Sequence, residues 1–112
     1  NGDYIRWMNL WPVFADYFGV AAGSVRTQRL GDTMPARKPV WERIVRKHQL
    51  VAPRYEELVL WPYGDFVFEP AWDIMSDTLK SRQFGFHEVC DTQAMFLELF
   101  EYYRRHRIIP AD

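Results

Sequence analysis

Apolar positions along most of this chain recur with a helical period. Trp7, Leu10, Trp11, Phe14 and Phe18 fall at i, i+3, i+4, i+7 and i+11. That stripe predicts a one-sided helix, and Gly19 stands where a left-handed C-cap belongs. Asn1-Gly2-Asp3 is turn chemistry, with Asp3 placed to cap the helix that follows. Pro12 must lie early in that helix or kink it, because its ring removes one backbone bond. The clearest helix is the last, starting at Asp91 or Thr92 and carrying Phe96, Leu99, Phe100 and Tyr103 at helical spacing. Arg104, Arg105 and Arg107 crowd its C-terminal end, and Glu101 is spaced to pair with Arg105 at i+4.

Between these two helices the pattern is more broken. Val20–Arg29 reads as a loop centred on Gly23 and Ser24, and Leu30–Arg37 as a short helical turn interrupted by Pro35. Pro39 suits the first position of a helix running to about His48, with Val40, Trp41, Ile44 and Val45 on its apolar face. A further helix is expected from Pro53, with Glu56 and Glu57 in its early turns, leading into Trp61–Phe68, where Pro62 and Gly64 disfavour an unbroken run. Ala71–Met75 reads as a short strand. Ser76 then caps a helix from Asp77 to Phe84, ended by Gly85. The chain is therefore expected to be mainly α with one or two short strands.

Composition adds one feature. The chain has 112 residues, one domain's worth, and a net charge of −1. That charge gives no general attraction to nucleic acid or to an anionic membrane. No apolar run approaches the roughly 20 residues that span a bilayer. The single cysteine, Cys90, has no internal disulfide partner, which fits a reducing, cytoplasmic compartment. Aromatic residues make up 17% of the chain, with five Trp, eight Phe and six Tyr. Each would bury on the order of 150–250 Å² if enclosed. A small domain lacks the interior for them all, so some should line a pocket or a face that another domain covers.

The chemistry of a self-contained enzyme is missing. Gly2, Gly19, Gly23, Gly31, Gly64 and Gly85 are too far apart to form the glycine-rich turn that cradles a dinucleotide. No tyrosine has Lys four residues later, and no serine sits in a nucleophile-elbow context. His48, His87 and His106 are dispersed. His87 with Cys90 gives at most half of a metal site, and surface histidines with a small buried thiol account for them better.

The opening Asn1-Gly2-Asp3-Tyr4-Ile5-Arg6-Trp7 with Leu10-Trp11 resembles a stretch of the progesterone 5β-reductase and iridoid synthase family. The resemblance continues through Phe14–Val20, Lys38-Pro39-Val40-Trp41-Glu42-Arg43-Ile44-Val45 and Trp61-Pro62-Tyr63-Gly64-Asp65. It resumes at Ser76–Phe86 and closes on Arg107-Ile108-Ile109-Pro110. These proteins are atypical extended short-chain dehydrogenases. The resemblance implies that residues 1–112 are the C-terminal substrate-binding domain of an α/β Rossmann parent. That parent's N-terminal domain would bind NADP and carry a catalytic Tyr and Lys. Asn1 is not Met, so roughly 200 residues, more than a typical domain's worth, are expected before it. The chain alone is expected neither to bind NADPH nor to be catalytic.

By the same resemblance the parent reduces α,β-unsaturated carbonyl compounds, and this region supplies one wall of an apolar pocket. The family pattern Trp-Trp-Phe-Gly-Asp aligns with Trp61-Pro62-Tyr63-Gly64-Asp65, and its substrate-contacting Phe falls on Tyr63. Phe66, Val67 and Pro70 would continue the wall. Pro62 departs from the pattern. From spacing alone Trp61, Tyr63, Phe66 and Phe68 also read as core, as Trp7, Trp11, Phe14 and Phe18 do. The implied partners are a small hydrophobic carbonyl substrate and the protein's own Rossmann domain, with a homodimer left open. Two other readings stay in view. One is the equivalent domain of an NAD-dependent sugar-nucleotide epimerase or dehydratase, whose pocket should gather Arg and polar groups around a diphosphate. The other is a helical interaction module that uses its aromatic face as a groove.

Overall fold

In a computed structural model, residues 1–111 are described, and they form seven α-helices, one 3₁₀ turn and no strand. The helices are α1 (Trp7–Tyr17), α2 (Leu30–Thr33), α3 (Lys38–His48), α4 (Tyr55–Leu58), α5 (Trp61–Phe68), α6 (Leu79–Gln83) and α7 (Thr92–Arg105), with the 3₁₀ turn Pro35–Arg37 between α2 and α3. They group into two compact units. One comprises Asn1–Gly23 and Asp73–Phe100, the other Ser24–Trp72 and the chain from Glu101 on.

In the first unit α1 forms where the stripe predicts it, and Gly19 takes the left-handed φ of 65° that ends it. Leu10 and Phe14 are its buried positions. The Phe14 ring meets Phe96 and Phe100 of α7 edge-on, with centroids 5.1 and 5.2 Å apart. Such pairs contribute about 0.5–1.5 kcal/mol beyond their buried area. Trp7 and Phe18 join the edges of this cluster, against Phe96 and Phe100 respectively. Trp11 stays 50% exposed, because one facing helix covers only a narrow seam of so wide a stripe. Pro12 lies in the interior of α1 rather than in its first turn.

Asp3 does not cap α1, whose N-cap, Arg6, makes no side-chain bond to the helix start. The Asp3 carboxylate instead accepts the backbone N–H of Thr92 at 2.8 Å and its hydroxyl at 2.7 Å, at the start of α7. Asp91 completes that terminus by accepting the Ala94 N–H at 2.8 Å. Two acids thus satisfy amides that a helix leaves unpaired. These bonds hold the Asp3 carboxyl below its ordinary range, the Thr92 N–H being the largest cause.

Two sequence expectations in this unit fail. Ala71–Met75, which the unit boundary divides, forms no strand, as Ala71-Trp72 is a bend and the following residues are irregular. A strand needs a neighbour to satisfy its backbone, and the described residues include none. The next helix begins at Leu79, not Asp77, and Asp77 rather than Ser76 accepts its first amide, from Leu79 at 2.7 Å. Gly85 does end it, with a φ of 88°.

In the second unit α3 follows its prediction within a residue, with Pro39 in its first turn and Gln49 left-handed beyond its end. The helix expected from Pro53 is a single turn. It starts at Tyr55, and extended Val59 separates it from α5. Tyr55 is the buried centre, donating its hydroxyl to the Met34 carbonyl at 2.5 Å and packing on the Trp61 ring at 5.9 Å. Lys38 and Glu56 pair at 2.5 Å, but both are exposed, and such pairs add little stability. Glu101 lies 3.9 Å from Arg104, at i+3, rather than pairing with Arg105, whose Nε instead donates to the Glu101 carbonyl at 3.4 Å.

Candidate functional site

The site is built around α5, whose sequence is a poor helix former. Its eight residues carry Gly64 in the middle, Pro62 in the first turn and no side-chain N-cap. A Gly in place of Ala costs roughly 1 kcal/mol in a helix interior. Tertiary contact with α2 compensates. A Cβ on Gly64 would lie 3.1 Å from Leu30 Cδ1, and one on Gly31 would lie 3.2 Å from Asp65 Oδ2. The two glycines therefore allow α2 and α5 to approach more closely than side chains would permit.

Asp65 fastens this junction. Its carboxylate accepts the Leu30 N–H at 2.6 Å and the Gly31 N–H at 2.9 Å. These are the first two amides of α2, whose own N-cap, Arg29, offers no oxygen to them. The carboxyl is held below its ordinary value, first by the Gly31 amide and then by that of Leu30.

With Gly64 and Asp65 turned toward α2, Tyr63 and Phe66 face outward. They are 61% and 68% exposed, and their rings stack with centroids 6.0 Å apart at 30°. Of the five residues expected to form a substrate wall, the structure brings these two together. Trp61 turns toward buried Tyr55 instead, while Val67 and Pro70 are half-buried. Phe66 borders an open groove of about 330 Å³ lined also by Arg29, Asp32, Pro62, Asp65 and Glu69. A second groove of about 440 Å³, between Lys38, Trp41, Val45, Pro53 and Glu56, shares no residue with α5. Among the described residues no three His, Cys, Asp or Glu side chains gather as a metal site, and no helix is long and apolar enough to cross a membrane.

Sequence reasoning passed over Asp65 as a helix-terminus acid. The available signal was α2 itself, a helical turn with no Ser, Thr, Asp or Asn before it. Such a turn needs an acceptor from elsewhere, but which of the distant acids supplies it depends on tertiary structure.

No protein-family model matches the chain. It is 31% identical over 119 aligned positions, spanning 100% of the chain, to an (S)-8-oxocitronellyl enol synthase of Nepeta cataria. It is 30% identical over 115 positions, 98% of the chain, to an enzyme of that name from Camptotheca acuminata. To the 3-oxo-Delta(4,5)-steroid 5-beta-reductase of Arabidopsis thaliana it is 29% identical over 115 positions, again 98% of the chain. In each case the chain spans 29% of the relative's length. In class, the chain is a C-terminal part of an extended short-chain dehydrogenase. More narrowly, it is iridoid synthase- and progesterone 5β-reductase-like.

Proposed function

We propose that this chain is the substrate-binding domain of an NADP-dependent reductase of α,β-unsaturated carbonyl compounds, and that Tyr63 and Phe66 form part of its pocket wall. The observation that carries this is the stacked, outward-facing ring pair on a helix whose other face is consumed by packing on α2. Exposed stacked rings on a fixed helix offer a flat apolar surface for a hydrophobic substrate. The names of the relatives support the substrate class, since a 3-oxo-Delta(4,5)-steroid is an enone.

NADPH would be held by another part of the protein and would deliver hydride to the β-carbon of the enone. The role of this chain is then to bind and orient. The rings exclude water from the enone and set which face of it meets the hydride. The epimerase reading fits less well, because the groove beside Phe66 carries Asp32, Asp65 and Glu69 against one cation, Arg29. A diphosphate would be repelled there.

Steady-state kinetics of the full-length enzyme test the proposal. Tyr63→Ala should lower kcat/KM for a bulky enone about 10- to 200-fold, the worth of a lost apolar contact, with the KM for NADPH unchanged. An unaltered enone profile would remove Tyr63 from the pocket.

A further inference from the structure

Tyr63 and Phe66 are ends of a chain of contacts that starts at a carboxylate. Helix α5 has little intrinsic reason to hold its orientation, with Gly64 at its centre and no cap of its own. Its side-chain anchor on α2 is Asp65, which spends both carboxylate oxygens on adjacent backbone amides at 2.6 and 2.9 Å. Asp65 follows Tyr63 by two residues and precedes Phe66 by one, so a rotation of α5 about this anchor swings both rings. Two amides fixed in one helical turn hold the carboxylate to which they donate in essentially one pose, because both oxygens are used.

We infer that Asp65 is the positioning residue of this site: it touches no substrate, and its clamp on the Leu30 and Gly31 amides sets where the Tyr63/Phe66 ring pair stands and hence which enones fit. The inference rests on the reading of those rings as a substrate wall. Asn at this position cannot substitute, since its amide nitrogen is a donor and would face a backbone N–H. The other charged groups around Asp65 are Arg29, Asp32 and Glu69, and of these Arg29 acts on it through charge alone, more weakly than either amide. The two backbone amides are what the carboxylate reads.

The test is a double-mutant cycle in the full-length enzyme, reading the ratio of kcat/KM for a 3-oxo-Δ4-steroid to that for 2-cyclohexen-1-one. Asp65→Asn should change this ratio by about tenfold, with the KM for NADPH unchanged. In a Tyr63→Ala/Phe66→Ala background the same substitution should change it no further, because residues acting through one contact are not additive. Gly31→Ala is the second variant, for use if Asp65→Asn does not fold. It keeps the carboxylate but places a Cβ 3.2 Å from Oδ2, and it should shift the ratio in the same direction by a smaller factor. An equal effect of Asp65→Asn with and without the rings would overturn the inference, as would no effect at all. If removing both rings leaves the ratio unchanged, the wall itself is wrong. A ring effect beside a silent Asp65 condemns only the positioning role.

Discussion

Two phenyl rings of this chain illustrate how differently one residue type is used. Phe14 is 8% exposed and Phe66 is 68% exposed. Phe14→Ala should therefore cost about 3–5 kcal/mol, the usual loss for a buried aromatic. Tyr63→Ala, on the open face beside Phe66, should stay within about 0.5 kcal/mol of the parent, as surface changes do. Thermal or urea midpoints of the two variants decide the matter, and a Tyr63 loss as large as that of Phe14 would return the ring to a core. The carboxylates give a second residue-level expectation. Asp3 and Asp65 both have pKa values lowered from 3.8 by helix-start amides. The folded state then binds fewer protons than the unfolded state between the folded and unfolded pKa values. Their contribution is complete above the unfolded pKa and is lost as the pH falls through the folded one. The amide shifts of Gly31 and Thr92, followed by NMR in acid, should titrate with midpoints below 3.8. Midpoints above that value would show that the bonds do not form.

At the level of elements, tertiary partners rather than propensity set most boundaries. Helix α1 needs no help, since its stripe buries Leu10 and Phe14 and Gly19 closes it. With no atom within 4 Å of a Cβ placed there, Gly19→Ala would meet only its own left-handed backbone, φ 65°. That should cost about 1–2 kcal/mol, read as a lowered melting temperature. Helix α5 is the opposite case. Its pattern does not separate a core helix from a pocket wall, because Trp61, Tyr63, Phe66 and Phe68 are all apolar. The segment Ala71–Met75 shows the same limit. Trp72, Ile74 and Met75 are 72%, 75% and 67% exposed, so a run that looks buried in sequence stays open, held by the Asp73 carboxylate on Arg6 at 3.0 Å.

At the scale of the molecule, the buried hydrophobic residues among those described are few: Leu10, Phe14 and Tyr55. Against them stand Tyr4 at 72%, Met8 at 71%, Leu60 at 71% and Phe84 at 83% exposed. A soluble monomer seldom leaves so much apolar surface open unless something covers it. The chain spans 29% of the length of its relatives, and the remainder of such a protein is the proposed cover. The 112-residue chain alone should accordingly enhance the fluorescence of an apolar dye such as ANS, while the full-length protein should not. Equal dye binding by both would mean that the exposed rings stay open in the longer protein too.

Sequence by itself determined the helical class, the position of α1, α3 and α7, and the likeness to the enone reductases. Each of these rests on a period, a cap or a motif written over neighbouring residues. Tertiary structure alone decided that Asp3 serves α7 rather than α1, that Asp65 serves α2, and that Trp61 turns inward while Tyr63 and Phe66 turn out. Helix-start amides donate to any nearby carboxylate, and apolar rings pack against whichever surface reaches them. The two carboxylate choices depend on distances between residues tens of positions apart, and the ring choices on which surfaces the folded chain brings near, and no local pattern encodes either.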